Sequence, residues 1–186
     1  NTIVVMFSDH GEEFGEHGGR DHNHGLYEQE IHVPLFIAVP GLVGCEIDTP
    51  VSLVDIVPTL LAILGQDDTV RRHGRNLLPL MLDPKRTDFG TVFAEHYVLT
   101  GGHDEDTKKA VIHGNKKLIQ RVEKRIDEIY DLGIDQGERR NLVGRDDTTE
   151  GVLRGLMKSF DDLVERHHLS EGAELLSKDE EYRRKI

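Results

Sequence analysis

Thr2-Ile3-Val4-Val5-Met6-Phe7-Ser8-Asp9-His10-Gly11 sets five consecutive apolar residues against a polar tetrapeptide. An unbroken apolar run of this length, stopped by a polar loop, is the pattern of a strand buried on both faces, and such strands belong to parallel sheets. A second run, residues 35–39 (Leu-Phe-Ile-Ala-Val), is bracketed by Pro34 and Pro40-Gly41. Prolines are tolerated at strand ends, where no ladder donor is required. The first run predicts a central parallel strand, and the second predicts another strand of the same α/β core. The intervening residues are mostly polar, and only Leu26-Tyr27-Glu28-Gln29-Glu30-Ile31 could make a helical turn.

Downstream, residues 52–64 carry apolar side chains at 53, 54, 56, 57, 60, 61, 63 and 64, followed by Gly65. That stripe predicts a helix with Ser52 or Asp55 at its N-cap, Pro58 near the first turn and glycine at the C-terminal cap. Leu77-Leu78-Pro79-Leu80-Met81-Leu82 is a short apolar element ended by Asp83-Pro84. Beyond Arg86 the texture changes to short runs at 92–94, 110–112 and 117–119, with Gly114-Asn115 as a two-residue hairpin turn, and alternation over 126–130. Three or four antiparallel strands need a helix on one face, and residues 152–164 supply it. The expected organisation is an α/β core over residues 1–86, an antiparallel-sheet subdomain over 87–169 and a charged tail over 170–186.

The chain has 186 residues, 37% hydrophobic and 31% charged, which is ordinary for a folded globular protein. A formal net charge of −12 argues against nucleic acid or an anionic membrane as partner and favours bound cations. Cys45 is the single cysteine, so neither an internal disulfide framework nor a cysteine-rich zinc motif is available.

Five of the eleven histidines fall between residues 10 and 32, together with Asp9, Glu12, Glu13, Glu16 and Asp21. In open α/β sheets ligands lie beyond the carboxyl ends of strands, where Asp9 and His10 emerge. A carboxylate beside an imidazole suits a divalent cation. Glu12, Glu13 and Glu16 are expected to be a solvated face without a role, and His17 and His32 to be structural. His22 and His24, in a glycine-flanked polar loop, are candidates to meet a substrate anion.

The order of these motifs resembles the sulfatase family of the alkaline-phosphatase-like superfamily. Ser8-Asp9-His10-Gly11 closing a strand, then Leu26-Tyr27-Glu28 and Val33-Pro34-Leu35, is similar to a signature segment of that family. Val51-Ser52-Leu53-Val54-Asp55 through Leu61, Gly74-Arg75 through Leu80, and Ile129-Tyr130-Asp131-Leu132 through Leu142 look like its later elements. The resemblance covers roughly residues 1–145 and implies an alkaline-phosphatase-like core followed by a small antiparallel sheet packed with a C-terminal helix. It also implies that Asp9 and His10 bind the active-site metal, commonly calcium, with manganese or zinc in other members. A lysine or histidine four or five residues before the equivalent of Tyr27 contacts the ester. His22 fits that place, with His24 the alternative.

Sulfatases make a formylglycine nucleophile in a Cys/Ser-x-Pro-x-Arg motif. None occurs here, and Cys45, followed by Glu46-Ile47-Asp48-Thr49, lacks the proline and the arginine. Cys45 is instead expected to be a buried or partly buried small residue. With Asn1 running straight into the first strand, the chain reads as the C-terminal part of a larger hydrolase, inactive by itself and completed by the N-terminal half of the same protein. Its substrate would be a sulfate ester, and its uncovered strand edge would favour self-association. Two alternatives stay open. One is a phosphodiesterase, phosphonate-ester hydrolase or phosphoethanolamine transferase of the same superfamily; the other is a non-catalytic binding domain.

Overall fold

The computed structural model describes residues 1–22, 25–67, 73–86, 88, 90–97 and 106–183, with side chains of the last helix described through residue 167. The first strand, β1 (Val4–Phe7), leads through a long loop to a single helical turn, α1 (Glu28–Ile31), and then to β2 (Leu35–Ala38). β1 and β2 pair antiparallel, Val4 with Ala38 and Phe7 with Leu35, which corrects the parallel arrangement expected for β1 from its composition. The cause lies in the connection. Gly11 N donates to Glu30 O at 2.7 Å and Ser8 N to Pro34 O at 3.4 Å, so the chain comes back beside the point where it left. Four helical residues make no crossover of the kind that parallel neighbours use.

Burial on both faces of these strands is not observed either: Val4, Met6, Phe7 and Phe36 are each half or more exposed. The continuous apolar run is therefore surface among the described residues.

The helix expected over 52–64 is a 3₁₀ turn (Leu53–Asp55) running into α2 (Ile56–Ile63). Its end is a Schellman closure, with Gly65 at φ +64, Gly65 N donating to Ala62 O and Gln66 N to Leu61 O. Asp55 is buried and accepts from Ser52 N at 2.9 Å and Arg75 N at 2.7 Å, joining α2 to the segment before α3 (Leu78–Leu82). Cys45 is exposed, contrary to expectation, with Sγ 3.5 Å from Met81 O.

The second half forms a four-stranded antiparallel sheet in the order β3 (Thr91–His96), β4 (Lys108–His113), β5 (Lys116–Arg121), β6 (Ile126–Asp131). Gly114 at φ +59 opens the two-residue turn between β4 and β5. One face presents Val111, Leu118 and Ile129 to Leu153 and Met157 of α4 (Asp147–Arg183). Leu153 and Met157 lie four residues apart, one above the other on a helix, and each is at least 98% buried. Burial of each contributes roughly 1.5–3 kcal/mol. Phe160 adds a stack on Phe93, with ring centroids 4.4 Å apart. The helix is longer than the 152–164 stripe that marked it.

The opposite face carries Ala110, Ile119 and Tyr130, which pack against Leu26 with Tyr27 and Ile31 around them. α1 thus sits between the sheet and the loop that follows β1, and through it the sheet fixes the position of Asp9 and His10.

Candidate functional site

The loop after β1 is shaped by two glycines and one buried carboxylate. A Cβ on Gly11 would lie 2.0 Å from Gln29 O, so only glycine allows the loop to sit against α1. Glu13, 2% exposed, accepts from His17 N at 2.7 Å and Gly19 N at 2.9 Å, both through Oε1. Its backbone exchanges two hydrogen bonds with Asp21, at 2.8 and 2.9 Å, which closes residues 13–21 into a hairpin-like excursion. A Cβ on Gly19 would lie 2.7 Å from Glu13 Oε2.

These constraints gather three of the side chains singled out from the sequence. His10 N donates to Asp9 Oδ1 at 3.1 Å, and His10 Nε2 lies 3.9 Å from Asp9 Oδ1. The His22 ring stacks on that of His10 with centroids 4.1 Å apart and planes at 30°. Glu12 Oε1 is 2.8 Å from His22 Nδ1 and 4.0 Å from His10 Nδ1. One donor atom from each of His10, Glu12 and His22 falls within 4.8 Å of the others. His24 lies outside the described residues. His17 stacks flat on Tyr27, with centroids 3.7 Å apart, and His32 pairs with Glu28 at 3.2 Å. Neither belongs to the cluster.

His10 Nδ1 is 2.8 Å from Gly11 O. A carbonyl only accepts, so Nδ1 carries the proton and Nε2 is left with its lone pair. That hydrogen bond, reinforced by Asp9, Glu12 and Glu30, holds the imidazole above its ordinary pKa. Donation of one ring N–H to a backbone carbonyl is how proteins orient a metal-ligating histidine. The donor set fits a divalent cation: Nε2 of His10 and the carboxylate of Asp9, whose side chain is 84% exposed, are separated by a distance that two ligands of one ion span.

Glu12 and Glu13 were expected to face water without a role. Glu13 instead organises the loop and Glu12 pairs with His22. Sequence spacing carried no signal for the second contact, because it depends on a ten-residue closure through Gly15, Gly18 and Gly19.

The family model described as Sulfatase matches residues 1–66. A sulfatase of Formosa agariphila is 42% identical over 82 residues, covering 44% of this chain and 16% of that protein. Arylsulfatase K of Rattus norvegicus is 30% identical over 157 residues, covering 76% of this chain and 26% of that protein. Among solved structures, BT4656 in complex with its substrate D-glucosamine-2-N,6-O-disulfate superposes with a TM-score of 0.72 at 23% identity, a likeness of fold. It covers 86% of this chain and 34% of that one. The chain thus spans only about a sixth to a quarter of the two curated relatives. The ordered motifs and these matches converge on the sulfatase family, whose model the chain matches over residues 1–66.

Proposed function

We propose that this chain supplies the C-terminal share of the active site of a sulfuric ester hydrolase, with Asp9 and His10 as ligands of a divalent cation and His22 as the residue that meets the ester. The observation that carries this reading is the convergence of Asp9, His10 and His22 at the end of β1, with His10 held so that Nε2 is free to ligate. When bound, the cation would act as a Lewis acid on the ester's oxygens. Calcium is the commonest metal among such enzymes, while the imidazole donor also suits manganese or zinc.

His22 works from Nε2, because Nδ1 is engaged by Glu12. When protonated there, it stabilises charge building on the ester and hands its proton to the departing oxygen. Residues 1–86 carry these groups and residues 87–169 brace them through α1. Without a formylglycine motif in the sequence, the nucleophile comes from elsewhere in a longer polypeptide, and the chain alone hydrolyses nothing.

Peptide mass spectrometry of the full-length gene product tests this. Formylglycine in a Cys/Ser-x-Pro-x-Arg peptide establishes the sulfatase. A threonine or unmodified serine nucleophile moves the reaction to phosphorus esters, and absence of any nucleophile leaves a binding domain. In the full-length enzyme, His22→Ala is expected to lower kcat by about a hundred- to thousandfold, and equal rates would remove His22 from the reaction.

A further inference from the structure

We infer that Glu12 is the positioning residue of His22, holding its ring in one tautomer and one orientation toward the ester. The inference rests on the reading of His22 given above and adds a residue that the family resemblance does not supply.

Glu12 Oε1 and His22 Nδ1 are 2.8 Å apart. An ionised carboxylate only accepts hydrogen bonds, so Nδ1 carries the proton and Nε2 becomes the atom presented to the substrate. The backbone on both sides of this contact is fixed. Residue 12 lies between Gly11, tied to Glu30 O at 2.7 Å, and Glu13, whose backbone pairs with Asp21. Asp21 immediately precedes His22. The bridge therefore sets residues 12 and 22 opposite one another on the two legs of the loop, and the side-chain contact follows from that register. The His10 ring stacked on His22 removes the remaining freedom of tilt. A side chain held by a hydrogen bond on one edge and a ring on one face is oriented before any substrate arrives, and preorganisation of this kind lowers the barrier of a step that depends on geometry.

The arrangement also admits a competing role, since His10, Glu12 and His22 offer three donor atoms to one ion. The experiment separates the two. In the full-length enzyme, Glu12→Ala, Glu12→Gln, His22→Ala and the double variant Glu12→Ala/His22→Ala are compared for kcat, KM and metal content. Histidine labelled with nitrogen-15 reports the tautomer of His22.

A positioning role predicts that Glu12→Ala lowers kcat about 10- to 100-fold with KM nearly unchanged and metal content intact. Glu12→Gln, whose amide oxygen still accepts from Nδ1–H, should restore most of that loss. The double variant should be no slower than His22→Ala, because the two residues act as one unit. The nitrogen-15 spectrum should show Nδ1–H in the wild type and a shift toward Nε2–H in Glu12→Ala. Loss of metal in Glu12→Ala would overturn the inference in favour of a ligand role, as would a glutamine variant as slow as the alanine one. If His22→Ala leaves the rate unchanged, the functional reading of His22 fails, and Glu12 loses its catalytic consequence. An unchanged tautomer in Glu12→Ala overturns the positioning role independently of activity.

Discussion

Lys117 and Glu138 form an ion pair at 2.8 Å in which neither side chain is exposed. The same ammonium lies 2.9 Å from Glu28 Oε1, and Glu138 also accepts from the backbone N–H of Glu28 at 2.6 Å. The start of α1 is thereby fastened to β5 by residues about ninety to a hundred and ten positions away. Burial pushes the Glu138 carboxyl above its usual range, with Lys117 pulling the other way. Lys117→Met removes the cation shared by two carboxylates and is expected to cost about 3–5 kcal/mol, measured by denaturant unfolding. Replacing the pair together, Lys117→Met with Glu138→Leu, should recover much of it, because a buried pair exchanged for apolar residues is often close to neutral. A double variant as unstable as the single one would contradict this.

Tyr27 and Tyr130 both donate their hydroxyls to Glu128 Oε2 at 2.8 Å. Burial first, and then the hydrogen bond to a carboxylate, pushes both phenols far above the ordinary value of 10.0. A folded-state pKa raised above the unfolded one contributes stability that is complete below pH 10 and is lost as pH rises through the folded value. The chain should therefore lose stability steeply above pH 10. Absorbance of tyrosinate in the native chain at pH 11 should fall short of that of the denatured chain at the same pH. Equal ionisation in both states would show that the two phenols are not protected. Tyr27→Phe should remove part of this alkaline dependence and cost about 1.5–3 kcal/mol for a hydrogen bond to a charged acceptor.

Much of this architecture could be read from the sequence where the signal is local. The stripe of 52–64, its closing Gly65 and the Gly114-Asn115 turn each follow from short-range periodicity and turn chemistry, and the structure has them at those places. Pairing direction could not be read that way. The apolar run of β1 looks the same in a parallel or antiparallel sheet, and what decides is the return path set by Gly11 and Glu30. The site divides along the same line. Asp9 and His10 were visible as neighbours at a strand end, whereas Glu12 and Glu13 gained their partners through loop closure, which leaves no periodic trace. A buried carboxylate gathering two backbone amides resembles, in sequence, any glutamate on a wet surface.

Glu13 offers a direct check on that loop. Glu13→Ala strips the acceptor from His17 N and Gly19 N and should cost about 1–3 kcal/mol for the unsatisfied groups. The loss should be local. Amide hydrogen exchange should speed up at His17, Gly19 and Asp21 while the amides of β4 and β5 keep their protection. Uniform acceleration across the sheet would mean that the loop is no separate unit.

The two-stranded sheet of β1 and β2 has no further strand beside it among the described residues, and Met6, Phe7 and Phe36 stand exposed on it. Open edges with apolar side chains template pairing between chains. The 21.0 kDa chain is expected to run in light scattering as dimers or larger species at high concentration. Phe36→Glu should return it toward monomer. A monodisperse monomer at every concentration would refute the expectation.

Gly11 gives the strictest test of how the fold serves the site. Any side chain there meets Gln29 O at 2.0 Å from its Cβ, and since Cβ does not move with the rotamer and the oxygen is backbone, no rotamer relieves the clash. Gly11→Ala must push the loop away from α1, breaking the 2.7 Å bond from Gly11 N to Glu30 O and displacing the carbonyl that holds His10 Nδ1. Overpacking of this kind costs about 1–3 kcal/mol. The more telling consequence is at His10, whose Nε2 is no longer the enforced free nitrogen once the carbonyl moves. Divalent-metal affinity, measured by calorimetry on the full-length enzyme, should fall about 10- to 100-fold, although neither Asp9 nor His10 has been touched. Unaltered affinity in a folded Gly11→Ala variant would show that the Gly11 carbonyl does not set the ligand geometry.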